Sequence, residues 1–398
     1  MDENKVLDQE AESDKPPSTS PRPVRSWRVA VVANIKGETA LPINGPADAG
    51  AEFDRQETIQ EIQKAIESDG HTTEFFPADQ LLPFELRSFK PDICFNIAEG
   101  IGGDAREAQV PALLEMLQVP YTASRVLANA LALDKTMTKR IWRDNNLPIA
   151  DFQEFVTGYE SVSQDLKFPL FVKPSREGTG MGMDDRAIVW NEHELRRRVN
   201  WVISNYQQPA LVETYLPGRE FTVGVLGRPD AARYSRHPEY YGKDGFHHFP
   251  IQEIDNSRSI TPGVYGHHAK TLHTGDNGVP GFLCPADVTP ELEMELNQLA
   301  IIGHQTLGAL DVSRVDFRMD ADGRPHLIEI NSLPGLTPGF SDLCILAETE
   351  GMSYTNLILE ILYLGASRFG LVKPHIKQIK PLRVLEFSEL AVSPYLPR

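Results

Sequence analysis

The chain is short of positive charge, of cysteine and of long apolar runs. Its 39 Lys and Arg against 56 Asp and Glu give a net charge of −17, which argues against nucleic acid or an anionic membrane as partner, because both are bound by clustered basic residues. Three distant cysteines, Cys94, Cys284 and Cys344, fit a reducing compartment. No apolar run has the length of a membrane span, and the N-terminus lacks a signal-peptide core. These features predict a cytoplasmic protein.

Length and pattern predict an α/β protein of two to three domains. Residues 1–26 are polar and rich in Pro and Ser, so we expect a disordered tail. Buried-strand patterns near 27–34 and 91–97 alternate with helical patterns near 55–69 and 106–118, which predicts a parallel α/β layer. Strands are also expected near 168–173, 210–226, 312–320 and 325–331, a long helix near 124–145, and a closing helix from about 353.

The most informative segment is a predicted hairpin around Asp322-Gly323. Asp-Gly is typical of a two-residue type I′ turn, and residues whose numbers sum to 645 then face one another. Asp316 is therefore expected opposite Glu329, and Arg314 opposite Asn331. The alternation of a strand places these four on one face. The other face is then predicted to carry Val315, Phe317, Ile328 and Ile330.

Two carboxylates that face each other repel unless a positive charge lies between them. Asp316, Glu329 and the amide oxygen of Asn331 are hard oxygen ligands of the kind that Mg²⁺ prefers. The alternative interpretation is the solvated face of an exposed hairpin. Register, Asn331 and the neighbouring Arg314 together favour the magnesium site.

Three other motifs indicate a nucleotide. Residues 173–182 place Lys173 at a strand end before Gly178, Gly180 and Gly182, whose backbone N–H groups can close over phosphates. Residues 211–220 form a strand edge that can meet an adenine, with Glu220 for a ribose. Residues 132–139 carry Lys135 on a helix. Each motif is weak alone, since glycine-rich turns and helical lysines are mostly structural.

In this order the motifs resemble the ATP-grasp superfamily, and within it the D-alanine–D-alanine ligases. The resemblance runs from about 127 to 364, and more loosely back to Trp27. It rests on LALDKTMTK, FVKPSREGTGMGM, LVETYLPGREFTV, HAK, FLCPA, RVDFRMDADG, LIEINSLPGLTP and GMSY. It implies a three-domain architecture with ATP between the central and C-terminal domains. The corresponding bounds are 1–26 for the tail, 27–123, 124–211 and 212–374 for the domains, and 375–398 for an extension.

The resemblance also implies roles for individual residues. Lys135 and Lys173 match phosphate-binding lysines, Glu213 the residue beside adenine, and Glu220 the ribose ligand. Asp316, Glu329 and Asn331 match the magnesium ligands, for two Mg²⁺ ions with Mn²⁺ as the alternative. The remaining matches are catalytic. Lys270 matches a lysine that reaches the γ-phosphate. Arg314 matches the arginine that stabilises the negative charge of the transferred phosphoryl group and of the tetrahedral intermediate, with help from the backbone N–H near Gly335.

Departures from the family pattern fall on the amino-acid pockets. The turn and glutamate that hold the first ammonium are replaced by residues 34–38 and 52–58, where Glu57 or Asp54 could take the role. The next loop, 96–104, offers Glu99. One extra residue precedes Ser341, the match for a contact to the second substrate. We therefore expect the ATP and metal site to follow the family more closely than the substrate pockets.

The implied reaction joins two amino acids through an acyl phosphate, with D-alanine–D-alanine ligation in peptidoglycan biosynthesis as the best single interpretation. A second interpretation keeps the chemistry and changes the amino-acid or amine substrates to those of specialised metabolism. A third is a nucleotide-binding protein without catalysis, against which the complete set of charged residues argues. Small-molecule substrates are the expected partners, and the resemblance suggests a homodimer.

Overall fold

The computed structural model describes residues 26–41, 45–258, 263–264, 266 and 280–374. The predicted tail, apart from Ser26, and the predicted extension lie outside these ranges. Within them, no helix is both long and apolar enough to cross a membrane.

The described residues form three sheets, and the first is parallel and confirms the predicted α/β layer. Its strand order is β2-β1-β3. Side chains on both faces of β1 are buried. Val29 and Val31 pack on one face with Ile59 and Ile62 of the first helix, and Val32 packs on the opposite face. The elements are β1 Arg28–Ala33, α1 Gln56–Glu67, β2 Thr72–Pro77, α2 Leu82–Phe89, β3 Ile93–Asn96 and α3 Gln109–Leu117.

The second sheet is antiparallel, with strand order β4-β7-β5-β6. Helix α6 covers it by packing Leu195 and Val199 against Val172 and Val212. The elements are β4 Phe152–Phe155, β5 Leu170–Pro174, β6 Ile188–Val189, α6 Glu192–Tyr206 and β7 Ala210–Thr214. The predicted domain border between 211 and 212 falls inside β7.

The third sheet is the largest, with strand order β11-β10-β8-β12-β13 and β9 beside β8. Trp142 from the helical segment before the second sheet lies in its core with Phe317 and Leu327. The strands are β8 Glu220–Gly227, β9 Phe246–His248, β10 Gln252–Asp255, β11 Gly281–Leu283, β12 Val312–Met319 and β13 Pro325–Asn331. The helices that follow in the chain are α7 Pro290–Thr306, α8 Asp342–Thr349 and α9 Tyr354–Arg368.

The prediction of one long helix near 124–145 is wrong. The chain forms two helices there, α4 Val126–Leu133 and α5 Lys135–Asp144. Asp134 separates them with φ −83° and ψ 93°, and its carboxylate accepts a hydrogen bond from the Met137 N–H. A side chain that takes a backbone N–H in this way is a helix N-cap. The break makes Lys135 the first residue of α5.

The hairpin confirms the predicted pairing of Asp316 with Glu329 and of Arg314 with Asn331. The route to that register differs from the prediction. Only Gly323 of the Asp322-Gly323 pair has positive φ, at 78°, so the turn is not type I′. Residues 320–324 form a longer loop closed by the Met319–Pro325 pair.

A β-bulge corrects the register between the loop and the site. Phe317 pairs with Leu327 and Asp316 pairs with Glu329, so Ile328 is an extra residue on β13. The prediction that Ile328 lies on the face opposite Glu329 is therefore wrong. Ile328 lines the same cleft as Glu329, and Leu327 takes the buried place beside Phe317.

His304 of α7 makes the fold sensitive to acid. Burial lowers the pKa of His304 to about 4, and its Nδ1 lies 2.8 Å from the hydroxyl of Ser313. The unfolded chain, with a pKa near 6.5, takes the proton first, so stability falls as pH drops from about 6.5 to about 4, by up to about 3 kcal/mol. We expect His304→Asn to show a smaller fall in melting temperature than the wild type between pH 7 and 4.5. Identical slopes for the two proteins would contradict this assignment.

Candidate active site

A cleft of about 900 Å³, open to solvent, lies between the second and third sheets. Strands β5 and β7 and the glycine-rich loop form one wall, and β8, β12 and β13 form the other. The polar and charged side chains lining it are Lys135, Lys173, Glu177, Glu213, Thr214, Tyr215, Glu220, Arg314, Asp316, Arg318, Glu329 and Asp342. Apolar residues such as Met181, Ile254 and Ile328 complete the walls.

Glu213 lies in the cleft between two lysines. One carboxylate oxygen is 2.7 Å from Lys173 Nζ, and the other is 2.6 Å from Nζ of Lys139, which is fully buried. Burial acts to raise the pKa of Glu213, but the two ammonium groups outweigh it and the pKa falls below its usual value. Glu213 is therefore ionised, and the structure brings Lys173 and Glu213, which were predicted for separate roles, into contact.

Lys135 joins the glycine-rich loop to the hairpin. Its Nζ lies 3.2 Å from a Glu329 carboxylate oxygen and donates to the backbone carbonyl of Glu177. Burial lowers the pKa of Lys135, but Glu329 outweighs this effect and the pKa lies above its ordinary value. The ammonium group therefore stays charged inside the cleft.

Arg314 binds two carboxylates, Asp316 beside it on β12 and Asp342 at the start of α8. Its Nε and one terminal nitrogen donate to the two oxygens of Asp316, at 3.0 and 2.9 Å, and the other terminal nitrogen lies 3.4 Å from Asp342. Asp316 also accepts from Thr222 Oγ1, at 2.5 Å, and from Asn331 Nδ2, at 3.3 Å. Burial acts to lower the pKa of Arg314, and Asp316 and Asp342 raise it above its ordinary value. The predicted group of Arg314, Asp316 and Asn331 is brought together.

The three predicted glycines of the loop have different surroundings. Gly180 lines the cleft, whereas Gly178 and Gly182 are not among the cleft-lining residues that the structure describes. The N–H of Gly182 donates to Asp48, at 3.0 Å. The geometry thus supports a direct nucleotide contact for Gly180, while Gly178 and Gly182 face other parts of the chain.

At the other end of the cleft, Glu220 accepts a hydrogen bond from Asn256 Nδ2, at 2.7 Å, and lies 3.6 Å from Arg318. Arg318 also donates to the hydroxyl of Tyr215, at 3.3 Å, and its guanidinium lies 5.2 Å from the ring centroid of that residue. Phe171 stacks on Tyr215 from the second sheet. An aromatic wall beside a carboxylate suits a base and its ribose.

The residues predicted for substrates are dispersed. Glu57 is exposed on α1, away from the cleft lining. Gly335 and Ser341 lie together, because a Cβ on Gly335 would be 2.8 Å from the Ser341 hydroxyl. Ser341 precedes Asp342 at the start of α8, and Asp342 lines the cleft. Lys270 lies outside the described residues.

Glu99 belongs to an acidic group beside the glycine-rich loop. Burial, then Glu107 and Glu52, raise its pKa well above the usual value. Burial also raises the pKa of Asp54 to about 7, and that of Glu107 to about 7 although Arg106 opposes it. A positively charged group bound among these carboxyl groups would offset their mutual repulsion and favour their ionised forms.

Sequence reasoning did not assign Lys139, Arg318 or Asp342 to the site. Lys139 lies four residues after Lys135, so helical spacing could have placed both on one side of α5. Arg318 continues the alternation of Arg314 and Asp316 along β12. Asp342 carries no local signal, because its position depends on the packing of α8.

Comparison with known proteins identifies the family. Residues 141–363 match the family model described as D-ala D-ala ligase C-terminus. The chain is 34% identical over 306 residues to the D-alanine–D-alanine ligase of Delftia acidovorans, covering 76% of this chain and 84% of that protein. The chain belongs to the D-alanine–D-alanine ligase family.

Other relatives show the extent of the likeness. An uncharacterised protein, y4sG, of Sinorhizobium fredii is 33% identical over 316 residues, covering 77% of this chain and 87% of that protein. A crystal structure of the D-alanine–D-alanine ligase from Bacillus anthracis complexed with ATP matches with a TM-score of 0.64 at 20% identity, covering 86% of this chain and 98% of the other. At that identity the match establishes a shared fold.

Proposed function

We propose that this protein is an ATP- and Mg²⁺-dependent ligase that joins two amino acids, with D-alanine as the best single substrate. The observation that carries the proposal is the opposed pair of Asp316 and Glu329 in one cleft with Lys135, Lys173 and Arg314. Family membership supports the same chemistry, since relatives about 30% identical are D-alanine–D-alanine ligases. A catalytically silent nucleotide-binding protein would not need this complete set.

We further propose that the three sheets are the centres of three domains, with ATP in the cleft between the second and third. The border between those two fits better after Thr214 than after Leu211, because β7 pairs along Ala210–Thr214 with the second sheet. The apolar lining residues, such as Met181 and Ile254, and the end of the cleft with Tyr215 and Glu220 suit the nucleoside. The Lys135 and Lys173 end suits the phosphates.

The hairpin residues fit magnesium. Asp316 and Glu329 form a directly opposed pair that both line the cleft, and Asn331 adjoins them on the same face. Oxygen donors of this kind are the ligands that Mg²⁺ takes in phosphate-binding sites. Bound Mg²⁺ would neutralise charge on the nucleotide phosphates.

The chemistry follows from the charges in the cleft. A substrate carboxylate attacks the γ-phosphate of ATP to give an acyl phosphate and ADP. The amine of a second substrate then attacks the acyl carbon, loses a proton and expels phosphate. Lys135 and Lys173 hold the phosphates, and Arg314 stabilises the oxyanion of the tetrahedral intermediate together with the backbone N–H at Gly335. We assign contact with the second substrate to Ser341, which lies beside Gly335, and contact with the γ-phosphate to Lys270.

The ammonium of the first substrate is assigned to the acidic group. Glu57 is exposed, so the alternative, Asp54, is the better candidate together with Glu99. Small-molecule substrates, a cytoplasmic location and a homodimer complete the proposal, without nucleic acid or membrane partners.

The test of the function is ADP release with Mg²⁺ and ATP across single and paired amino acids, D-alanine included. We expect release with D-alanine alone and the dipeptide by mass spectrometry. Release only with another pair would keep the ligase and overturn the substrate. Absence of release across the panel with ATP still bound would favour the silent nucleotide-binding protein.

A further inference from the structure

Residues 45–54, which we term the N-terminal strap, run from the first sheet to the glycine-rich loop. At one end Asp54 is tied to the extension of β1, where its N–H donates to the carbonyl of Asn34, at 3.1 Å, and its carbonyl accepts from Lys36, at 2.8 Å. Gly50 turns the strap with φ 72°, and a Cβ there would lie 2.6 Å from a Leu41 methyl carbon. The strap is therefore a defined turn anchored to the first sheet.

Asp48 makes the first contact with the glycine-rich loop. One oxygen of its carboxylate accepts from the N–H of Gly182, at 3.0 Å, and from the hydroxyl of Tyr206, at 2.8 Å. Tyr206 is the last residue of α6, which packs on the second sheet. Asp48 thus joins the loop to a rigid helix. A carboxylate that accepts a backbone N–H makes one of the stronger protein hydrogen bonds.

Glu52 makes the second contact, at the start of the loop. Its side chain is only 9% exposed and is ion-paired with Arg106, which also donates to the carbonyl of Arg176, at 2.7 Å. A Cβ on Gly178 would lie 1.9 Å from a Glu52 carboxylate oxygen, so a larger residue at this position would require the Glu52 side chain to move. Glycine at 178 thus allows Glu52 to approach the loop backbone closely.

Both contacts are made to loop glycines that are not among the described cleft-lining residues. Gly180, Met181 and Met183 line the cleft, whereas Gly178 and Gly182 contact the strap. We infer that the strap holds the glycine-rich loop in position for the nucleotide, with Asp48 and Glu52 as positioning residues. This inference rests on the proposed function, because it concerns the loop that would cover the ATP phosphates.

The strap also connects two binding regions. Asp54, in the same ten residues, belongs to the acidic group assigned to the first amino acid, and Asp48 and Glu52 contact the loop assigned to ATP. A change at the loop contact should therefore act on nucleotide affinity, while Asp54 and its anchoring to β1 stay in place. This separation makes the inference testable.

The test uses Asp48→Ala in the full chain. We expect the Kd for ATP with Mg²⁺, measured by titration calorimetry, to rise on the order of tenfold, the scale of one lost charged hydrogen bond. The amino-acid KM should stay unchanged, and amide hydrogens of residues 178–183 should exchange faster without nucleotide. Asp48→Asn, which keeps an acceptor oxygen for Gly182, should recover most of the affinity.

Two further variants keep the result interpretable. Tyr206→Phe removes one partner of Asp48 and should give a smaller change in the same direction, which tests the strap if Asp48→Ala does not fold. Glu61→Ala removes an exposed carboxylate of α1 that pairs with Lys64, and should change nothing. Wild-type affinity and exchange in Asp48→Ala would overturn the inference. If the wild type bound no ATP, the proposed function would fail, while the exchange comparison would still decide the strap contact.

Discussion

Asp316→Asn is expected to lower the rate of ADP release at saturating substrates on the order of 10³-fold, because it removes one charge from the opposed pair that we propose to lie near the phosphates. The substitution keeps the shape of the side chain, so the hairpin should form as before. The loss reflects the chemistry that Asp316 serves, both as a proposed magnesium ligand and as the carboxylate that holds Arg314 at 2.9 and 3.0 Å. Coupled-enzyme detection of ADP gives the rate, and circular dichroism checks the fold.

The matched control lies in the same hairpin. Asp322→Asn makes the same substitution in the loop, where the Asp322 side chain is 69% exposed and pairs only loosely with Arg324, at 3.6 Å. This variant should keep wild-type turnover. Turnover within tenfold of wild type in Asp316→Asn would contradict the assignment of the hairpin carboxylates to catalysis.

Glu213→Gln is expected to destabilise the protein by about 3–5 kcal/mol, because it leaves Lys139 and Lys173 with like charges and no carboxylate between them. The melting temperature should fall by roughly 5–10 °C. Glu213 has a lowered pKa, so it stabilises the folded state above its unfolded pKa near 4.3, and that contribution is lost as pH falls through the lower folded pKa. Wild type and variant should therefore converge in acid. Scanning calorimetry at pH 7 and at low pH measures both effects.

A neighbouring ion pair supplies the control for Glu213. Glu154→Gln on β4 removes the partner of Arg140, whose side chain is 46% exposed, and such a pair contributes at most about 1 kcal/mol. Adding Lys139→Met to Glu213→Gln should recover part of the lost stability, because one buried charge is then removed. Equal losses from Glu154→Gln and Glu213→Gln would show that the buried triad is not special.

Much of the site could be predicted from sequence because its determinants are local. Two-residue alternation places Arg314 and Asp316 on one face of β12. Their pairing with Glu329 and Asn331 agrees with the prediction because the longer loop and the bulge at Ile328 offset each other. The parallel sheet follows from alternating strand and helix patterns. Helix α1, predicted over 55–69, is observed at Gln56–Glu67.

The errors arise where distant contacts decide the conformation. The α4–α5 break depends on Asp134, which caps α5 and also accepts from Arg176 Nε, at 2.8 Å, forty-two residues later. The partners of Gly178 and Gly182 lie in the strap, more than a hundred residues earlier. Composition and periodicity carry no information about such pairings. For the same reason the sequence did not show that α1 leaves Glu57 exposed.

The bulge at Ile328 lies between the loop of the hairpin and the pair of Asp316 and Glu329. Because side chains alternate between two faces, an odd change in the number of residues would normally exchange the inward and outward sets along the whole strand. Here the alternation is interrupted only at the extra residue, Ile328. As a result, the consecutive residues Ile328 and Glu329 both face the cleft. Asp316 and Glu329 therefore stay opposed although the pairs nearer the loop follow a register shifted by one residue. Ile328 thus presents an apolar surface, and Glu329 a carboxylate, to the cleft that we propose for the nucleotide and its metal ion.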